Sequence, residues 1–240
     1  MTSLTTREQT ITLAGLRTIV VAAAEPELVV IMLHGYAMTP EDLAPFAHSM
    51  KIPAVFLVPE GPLAAWPAGR AWWEMDHERR ALALERGPRD LHAEHPAGAP
   101  AARAGLLAFL AESGTRWKGC SRAIVGFSQG GMLACDTLLR ERPDIARLAL
   151  LSSSRIAADE WLPLVPRMRG LPVLVSHGRA DDDLAFGAGC ALRDLLQSGG
   201  AEMTWVPHDH GHEIPLVVWR ALRKFLSSGK AESARHRSPR

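Results

Sequence analysis

The chain has 240 residues, 47% of them hydrophobic and 22% charged, which excludes a disordered or collagen-like polymer and leaves one large or two small globular domains. Lys plus Arg number 27 against 26 Asp plus Glu, a formal net charge of +1, so no global field draws in nucleic acid or an anionic membrane. Three widely spaced cysteines, Cys120, Cys135 and Cys190, form neither a disulfide framework nor a zinc knuckle and point to a reducing compartment.

In chain order, residues 1–10 are polar and lack the apolar stretch of a secretory leader, and no later run approaches the roughly 18 apolar residues of a membrane span. A cytoplasmic protein without a membrane span is expected. Ile11 and Leu13 alternate with Thr10 and Thr12, the pattern breaks at Ala14-Gly15, and an apolar run follows from Leu16 to Ala22. This predicts an antiparallel hairpin at a sheet edge. Leu28–Leu33, Ala54–Val58, Arg122–Phe127, Leu148–Leu151 and Pro172–Val175 are short, almost continuously apolar runs, with a weaker one at Glu202–Val206. Such runs mark parallel strands buried on both faces.

Helical signals lie between them. Thr39-Pro40-Glu41-Asp42 combines an N-cap, a proline at the first helical position and first-turn acids, and leads into Leu43, Phe46 and Met50 at helical spacing. Further helices are predicted around Leu106–Leu110, Met132–Leu139, Ala188–Leu196 and Leu216–Leu226. The alternation defines an α/β fold, a mostly parallel central sheet with helices on both faces and an antiparallel N-terminal edge. One domain over residues 1–228 is expected, followed by a disordered basic tail at 229–240. The span 59–100 is rich in Gly, Pro and charge yet carries Trp66, Trp72 and Trp73. It is expected to be a lid or pocket loop.

The chemical signal is Gly126-Phe127-Ser128-Gln129-Gly130. It lies between a predicted strand and a predicted helix, the context in which G-x-S-x-G is a sharp turn presenting a nucleophilic serine. Ser128 then needs a base and an orienting carboxylate downstream. Asp181 follows a late strand and His212 precedes the last helix, in the required order. Asp182 and Asp183 compete with Asp181, and His208 and His210 with His212. His208, His210 and His212 also permit a metal-cluster reading, but no second ligand cluster accompanies them, and no metal or other cofactor is expected. The oxyanion donors are expected to be the N–H of Gln129 and that of Tyr36, after the strand Leu28–Leu33. His34 precedes the serine and is read as a structural histidine.

Together these residues resemble the phospholipase/carboxylesterase family of α/β-hydrolases, which includes acyl-protein thioesterases and small bacterial carboxylesterases. Leu33-His34-Gly35-Tyr36 is similar to its oxyanion loop, Arg70-Ala71-Trp72-Trp73 to its Arg-x-Trp-aromatic segment, and Gly126 to Gly131 to its elbow. His177-Gly178-Arg179-Ala180-Asp181 and Gly211-His212 resemble the motifs carrying the acid and the base. The chain departs from the family at Tyr36-Ala37-Met38, at Asp182-Asp183-Leu184, where a proline and apolar residues are more usual, and in a long charged span between Trp73 and Ala101.

The resemblance implies an α/β-hydrolase fold and a Ser128–His212–Asp181 triad. Trp66, Trp72, Trp73, Met75 and Leu184 are expected to contact a small-molecule ester with a short to medium acyl chain. An acyl-protein or acyl-CoA thioesterase, or a lysophospholipase, is the alternative. A metal-dependent hydrolase and a non-catalytic binding protein rank below these. Monomer and homodimer both remain open.

Overall fold

The computed structural model describes residues 6–228, so the expected basic tail at 229–240 lies outside the described residues. Strands β1 (Thr6–Leu13) and β2 (Leu16–Ala23) form the expected hairpin. Its two-residue turn, Ala14-Gly15, has φ of 48° and 79°, the double positive φ whose twist matches antiparallel strands. The central sheet continues with β3 (Leu28–Leu33), β4 (Ala54–Pro59), β7 (Ser121–Phe127), β8 (Arg147–Leu151), β9 (Pro172–Gly178) and β10 (Glu202–His208). Their spatial order is β1-β2-β4-β3-β7-β8-β9-β10, with β1 and β2 antiparallel and the rest parallel.

Both faces of the sheet are covered, which is why its strands read as unbroken apolar runs. Helices α1 (Pro40–Ser49) and α7 (Leu216–Ser227) cover one face, where Leu43, Ala47, Leu222 and Leu226 meet Val30, Met32 and Phe56. Helices α3 (Ala99–Arg116), α4 (Gln129–Glu141) and α6 (Phe186–Ser198) cover the other, with Leu106, Phe109, Leu133 and Leu192 against Val29, Ile31 and Ile124. Alternate residues of one strand thus serve two cores. At the start of α1, Asp42 Oδ2 accepts the Thr39 N–H at 2.7 Å, as the capping pattern predicts. Among the described residues no helix is long and apolar enough to cross a membrane.

Residues 59–100 hold more regular structure than the sequence reading assigned. A small hairpin pairs β5 (Leu63–Ala64) with β6 (Arg70–Ala71), and a helix, α2, runs from His77 to Leu84. Helix α2 is only eight residues long and buries none of them. A short helix, α5 (Ala158–Trp161), and a 3₁₀ helix at Leu162–Met168 were also not predicted. Pro163 and Pro166 interrupt their periodicity.

The site follows from the connectivity. The chain leaves β3 toward β4 on one side, and β7 returns on the other side of β3, so the ends of β3 and β7 diverge. Ligands bind at such a switch point in parallel sheets.

Candidate active site

Ser128 follows β7 directly and has φ 50° and ψ −117°, outside the conformations a non-glycine residue favours. The turn survives because its glycines let backbones touch. A Cβ on Gly126 would lie 2.4 Å from Gly131 Cα, one on Gly130 2.4 Å from the Leu33 carbonyl oxygen, and one on Gly131 1.9 Å from Ser153 Oγ. Ser153 Oγ–H in turn donates to the Ser128 carbonyl at 3.0 Å. The elbow is therefore locked between β3, β8 and α4.

His212 Nε2 lies 3.0 Å from Ser128 Oγ, and His212 Nδ1 lies 2.7 Å from Asp181 Oδ2. An ionised carboxylate only accepts, so Nδ1 carries the proton and the lone pair of Nε2 faces the serine hydroxyl. Asp181 is 3% exposed. Burial works against its ionisation, but the His212 hydrogen bond and charge, with the Leu184 N–H, hold its carboxyl below the usual carboxylate range. Its other oxygen, Oδ1, accepts the N–H groups of Asp183 at 3.0 Å and Leu184 at 2.8 Å. A hydroxyl, an imidazole and a carboxylate joined in this order can deprotonate the hydroxyl as it attacks.

The competing residues are placed elsewhere. Asp183 is ion-paired to Arg80 and Arg89, and Asp182 is exposed. His210 pairs with Glu213. His208 is buried, and neither of its ring nitrogens has a partner among the described residues. Burial, the largest influence, pushes its pKa down. Among the described residues no three His, Cys, Asp or Glu side chains converge as metal ligands.

The expected oxyanion donors sit on either side of the serine. Gln129 is the first residue of α4, where an N–H has no intrahelical acceptor, and Tyr36 follows β3 through Gly35. Neither N–H has a hydrogen-bond partner among the described residues. A Cβ on Gly35 would stand 3.2 Å from Ser128 Cβ, so glycine permits this approach. His34 is tied down on both ring nitrogens. Its Nε2 accepts the Gly61 N–H at 2.9 Å, which leaves the proton on Nδ1 to reach the Gly35 carbonyl at 2.7 Å. Burial is the main influence on its pKa and lowers it, in keeping with a structural role.

Ser128 opens into a cavity of about 950 Å³ whose apolar walls include Met38, Trp73, Met75, Phe127, Met132, Ile156, Leu184 and Ile214. Residues Trp73 to Pro96 furnish a large part of its rim and roof. Trp73, Met75 and Leu184 therefore lie where a pocket contact requires, as does Tyr36. Trp66 and Trp72 do not line the cavity. Trp66 is 69% exposed and packs edge-on against His77. Trp72 is buried beneath the site, its indole N–H donating to the His34 carbonyl and its backbone N–H to Gln129 Oε1, both at 2.9 Å.

Two features went unread in the sequence. The Gln129 side chain bridges to the 72–73 segment, donating through Nε2 to the Trp73 carbonyl at 3.0 Å. Arg70 donates to the carbonyls of Gly61 and Pro62, both at 2.8 Å, so the arginine of the Arg-x-Trp segment is a brace for the strand-end loop. All three bonds end on backbone carbonyls, which a residue pattern does not display.

The sheet order, the elbow and the cavity at the switch point define the α/β-hydrolase class. Residues 119–229 match the family model described as phospholipase/carboxylesterase. The chain is 30% identical over 108 residues to acyl-protein thioesterase 1 of Neurospora crassa, a match that covers 43% of this chain and 44% of that protein. The chain thus matches less than half the length of this curated relative. Among solved structures, it is similar in fold to a carboxylesterase from Mesorhizobium loti, with a TM-score of 0.70 at 20% identity over 92% of this chain and 98% of that one. Esterase PE8 gives a TM-score of 0.73 at 24% identity over 94% and 99% of the two chains.

Proposed function

We propose that the protein is a cytoplasmic serine carboxylesterase that hydrolyses uncharged carboxylic esters with short to medium acyl chains, without a cofactor. The observation that carries this reading is the unbroken hydrogen-bonded chain from Ser128 through His212 to Asp181 at the mouth of a largely apolar cavity. In this reading Ser128 Oγ attacks the ester carbonyl while its proton passes to His212 Nε2. Asp181 stabilises the imidazolium, and the N–H groups of Gln129 and Tyr36 hold the oxyanion. Collapse breaks the C–O bond, the leaving alkoxide takes the proton from His212, and water attacks the acyl-enzyme by the same route in reverse.

The cavity supports the substrate class. Its volume lies within the roughly 300–1,000 Å³ range of small-molecule sites, and Trp73, Met75 and Leu184 offer apolar area to an acyl chain at about 25 cal/mol per Å². We read residues 6–228 as one catalytic unit in which 59–100 forms the pocket wall and roof. An acyl-protein thioesterase is the second reading, favoured by the partial match to the Neurospora crassa protein.

The test is hydrolysis of p-nitrophenyl esters of increasing acyl length beside a matched long-chain thioester, with chelator present. Strong turnover of the short esters supports the carboxylesterase reading, and a clear preference for the long thioester supports the second. Ser128→Ala is expected to fold normally and to lose about 10⁵-fold or more in kcat. Unchanged turnover in that variant would remove the mechanism.

A further inference from the structure

Both departures at the acid loop and in the charged span converge on one contact. Asp183 Oδ1 accepts Arg80 Nη2–H at 2.8 Å and Arg89 Nη2–H at 2.6 Å. Arg80 comes from α2 and Arg89 from the segment that follows it, so one carboxylate holds two cations from the cavity roof. The backbone joins them as well. Arg89 N–H donates to the Asp183 carbonyl and Ala185 N–H to the Arg89 carbonyl, both at 2.9 Å, a parallel bridge between the roof and the acid loop.

The acid loop also sets the geometry of Asp181. The N–H groups of Asp183 and Leu184 both reach Asp181 Oδ1, which leaves Oδ2 to His212 Nδ1. Leu184 also accepts His177 Nε2–H through its carbonyl at 2.9 Å. Moving the 183–184 peptide would therefore rotate or release the Asp181 carboxylate. The Arg89–Asp183 half of the clamp is shielded, its side chains 11% and 17% exposed, so salt screens it less than a surface pair, whereas Arg80 is 36% exposed. Helix α2 buries no residue. Its polar attachments are Arg79 to Glu94, His77 to the Tyr36 hydroxyl, and this clamp.

We infer that Asp183 is a positioning residue, which, clamped by Arg80 and Arg89, fixes the two N–H groups that aim Asp181 at His212 and so couples the cavity roof to proton transfer. The inference rests on the serine-hydrolase reading. Asp183→Asn keeps the backbone and the side-chain shape but removes the charge. A neutral amide is a weaker acceptor for guanidinium than a carboxylate, and Arg80 Nε and Arg89 Nε already lack partners. The two cations then have no counter-charge and turn toward water.

The experiment compares wild type, Asp183→Asn and Arg89→Gln in the full chain. It measures kcat and KM on p-nitrophenyl acetate and the rate of Ser128 labelling by a fluorophosphonate. The expected result is a loss of 10-fold or more in kcat and in labelling rate for both variants, with KM within threefold of wild type, well below the temperature at which either variant unfolds. A role confined to stability would lower Tm and leave both rates unchanged. Folded variants with both rates within twofold of wild type, or a loss carried wholly by KM, overturn the inference. Should Asp183→Asn not fold, Arg80→Gln, which leaves the backbone bridge in place, decides by the same readouts with an expected loss of threefold or more. Wild type that resists the fluorophosphonate removes the serine-hydrolase reading, and the positioning role with it. Labelled wild type beside equally labelled variants removes the positioning role alone.

Discussion

Gln129 does two jobs from one position. Its backbone N–H is a proposed oxyanion donor, while its amide side chain, 2% exposed with its residue, accepts from Trp72 N–H and donates to the Trp73 carbonyl. The side chain thereby holds the segment that carries Trp73 into the cavity wall. Truncation in Gln129→Ala strands two buried backbone groups at roughly 1–3 kcal/mol each. The expected outcome is a loss of about 3 kcal/mol in urea unfolding, together with an altered acyl-length profile because Trp73 is no longer tethered. Of the ring-bearing residues around the site, His34 illustrates the opposite case, a histidine beside the serine whose nitrogens are both engaged by backbone groups.

At the scale of elements, the segment from β5 to α2 separates into parts with different duties. The hairpin tip carries Trp66 outward, whereas the end of β6 turns Trp72 under the elbow and Trp73 onto the cavity. The adjacent pair Trp72-Trp73 and the earlier Trp66 look alike in sequence, and only the hairpin's path sorts them. Trp73→Ala is expected to extend the range of acyl chains accepted by the p-nitrophenyl ester series and to cost about 3 kcal/mol or more in stability, as aromatic truncations in a core do. Trp66→Ala should leave the acyl-length profile unchanged and alter stability by less than about 1 kcal/mol. A shifted chain-length profile in Trp66→Ala would show that the hairpin tip reaches the substrate.

The whole molecule keeps three histidines out of water. His34, His177 and His208 each have a pKa pushed below the ordinary value of 6.5, with burial the largest cause in every case. The folded state holds them neutral and the unfolded chain protonates them from about pH 6.5 downward. Unfolding then takes up protons, so stability is fully present above pH 6.5 and declines as pH falls toward the depressed folded values. Unfolding free energy should therefore fall as pH is lowered from 7.5 to 5.5, each histidine adding a slope of at most about 1.4 kcal/mol per pH unit. Urea titrations across that window check this, and His208→Leu should flatten the slope by one proton. A free energy independent of pH would mean that these rings take up protons in the folded state as readily as in the unfolded chain.

Much of the architecture was legible in the chain because the signals are local. Unbroken apolar runs mark strands covered on both faces, Ala14-Gly15 marks a two-residue turn, and Gly126, Gly130 and Gly131 mark a place where backbones pack too closely for a side chain. Ser128, Asp181 and His212, which occur in that order along the sequence, lie within hydrogen-bond reach of one another in the fold. Helix α2 was not legible, since it spans only eight mostly polar residues, none of which reaches the core. Nor was the division of labour among Asp181, Asp182 and Asp183, three identical side chains in a row. Their roles depend on which way successive residues point after β9 and on what arrives from residues 80 and 89, roughly a hundred positions earlier. Local sequence determines what a segment prefers to be, whereas the partner of a charged side chain is decided only when distant segments are packed together, and that step belongs to the tertiary structure.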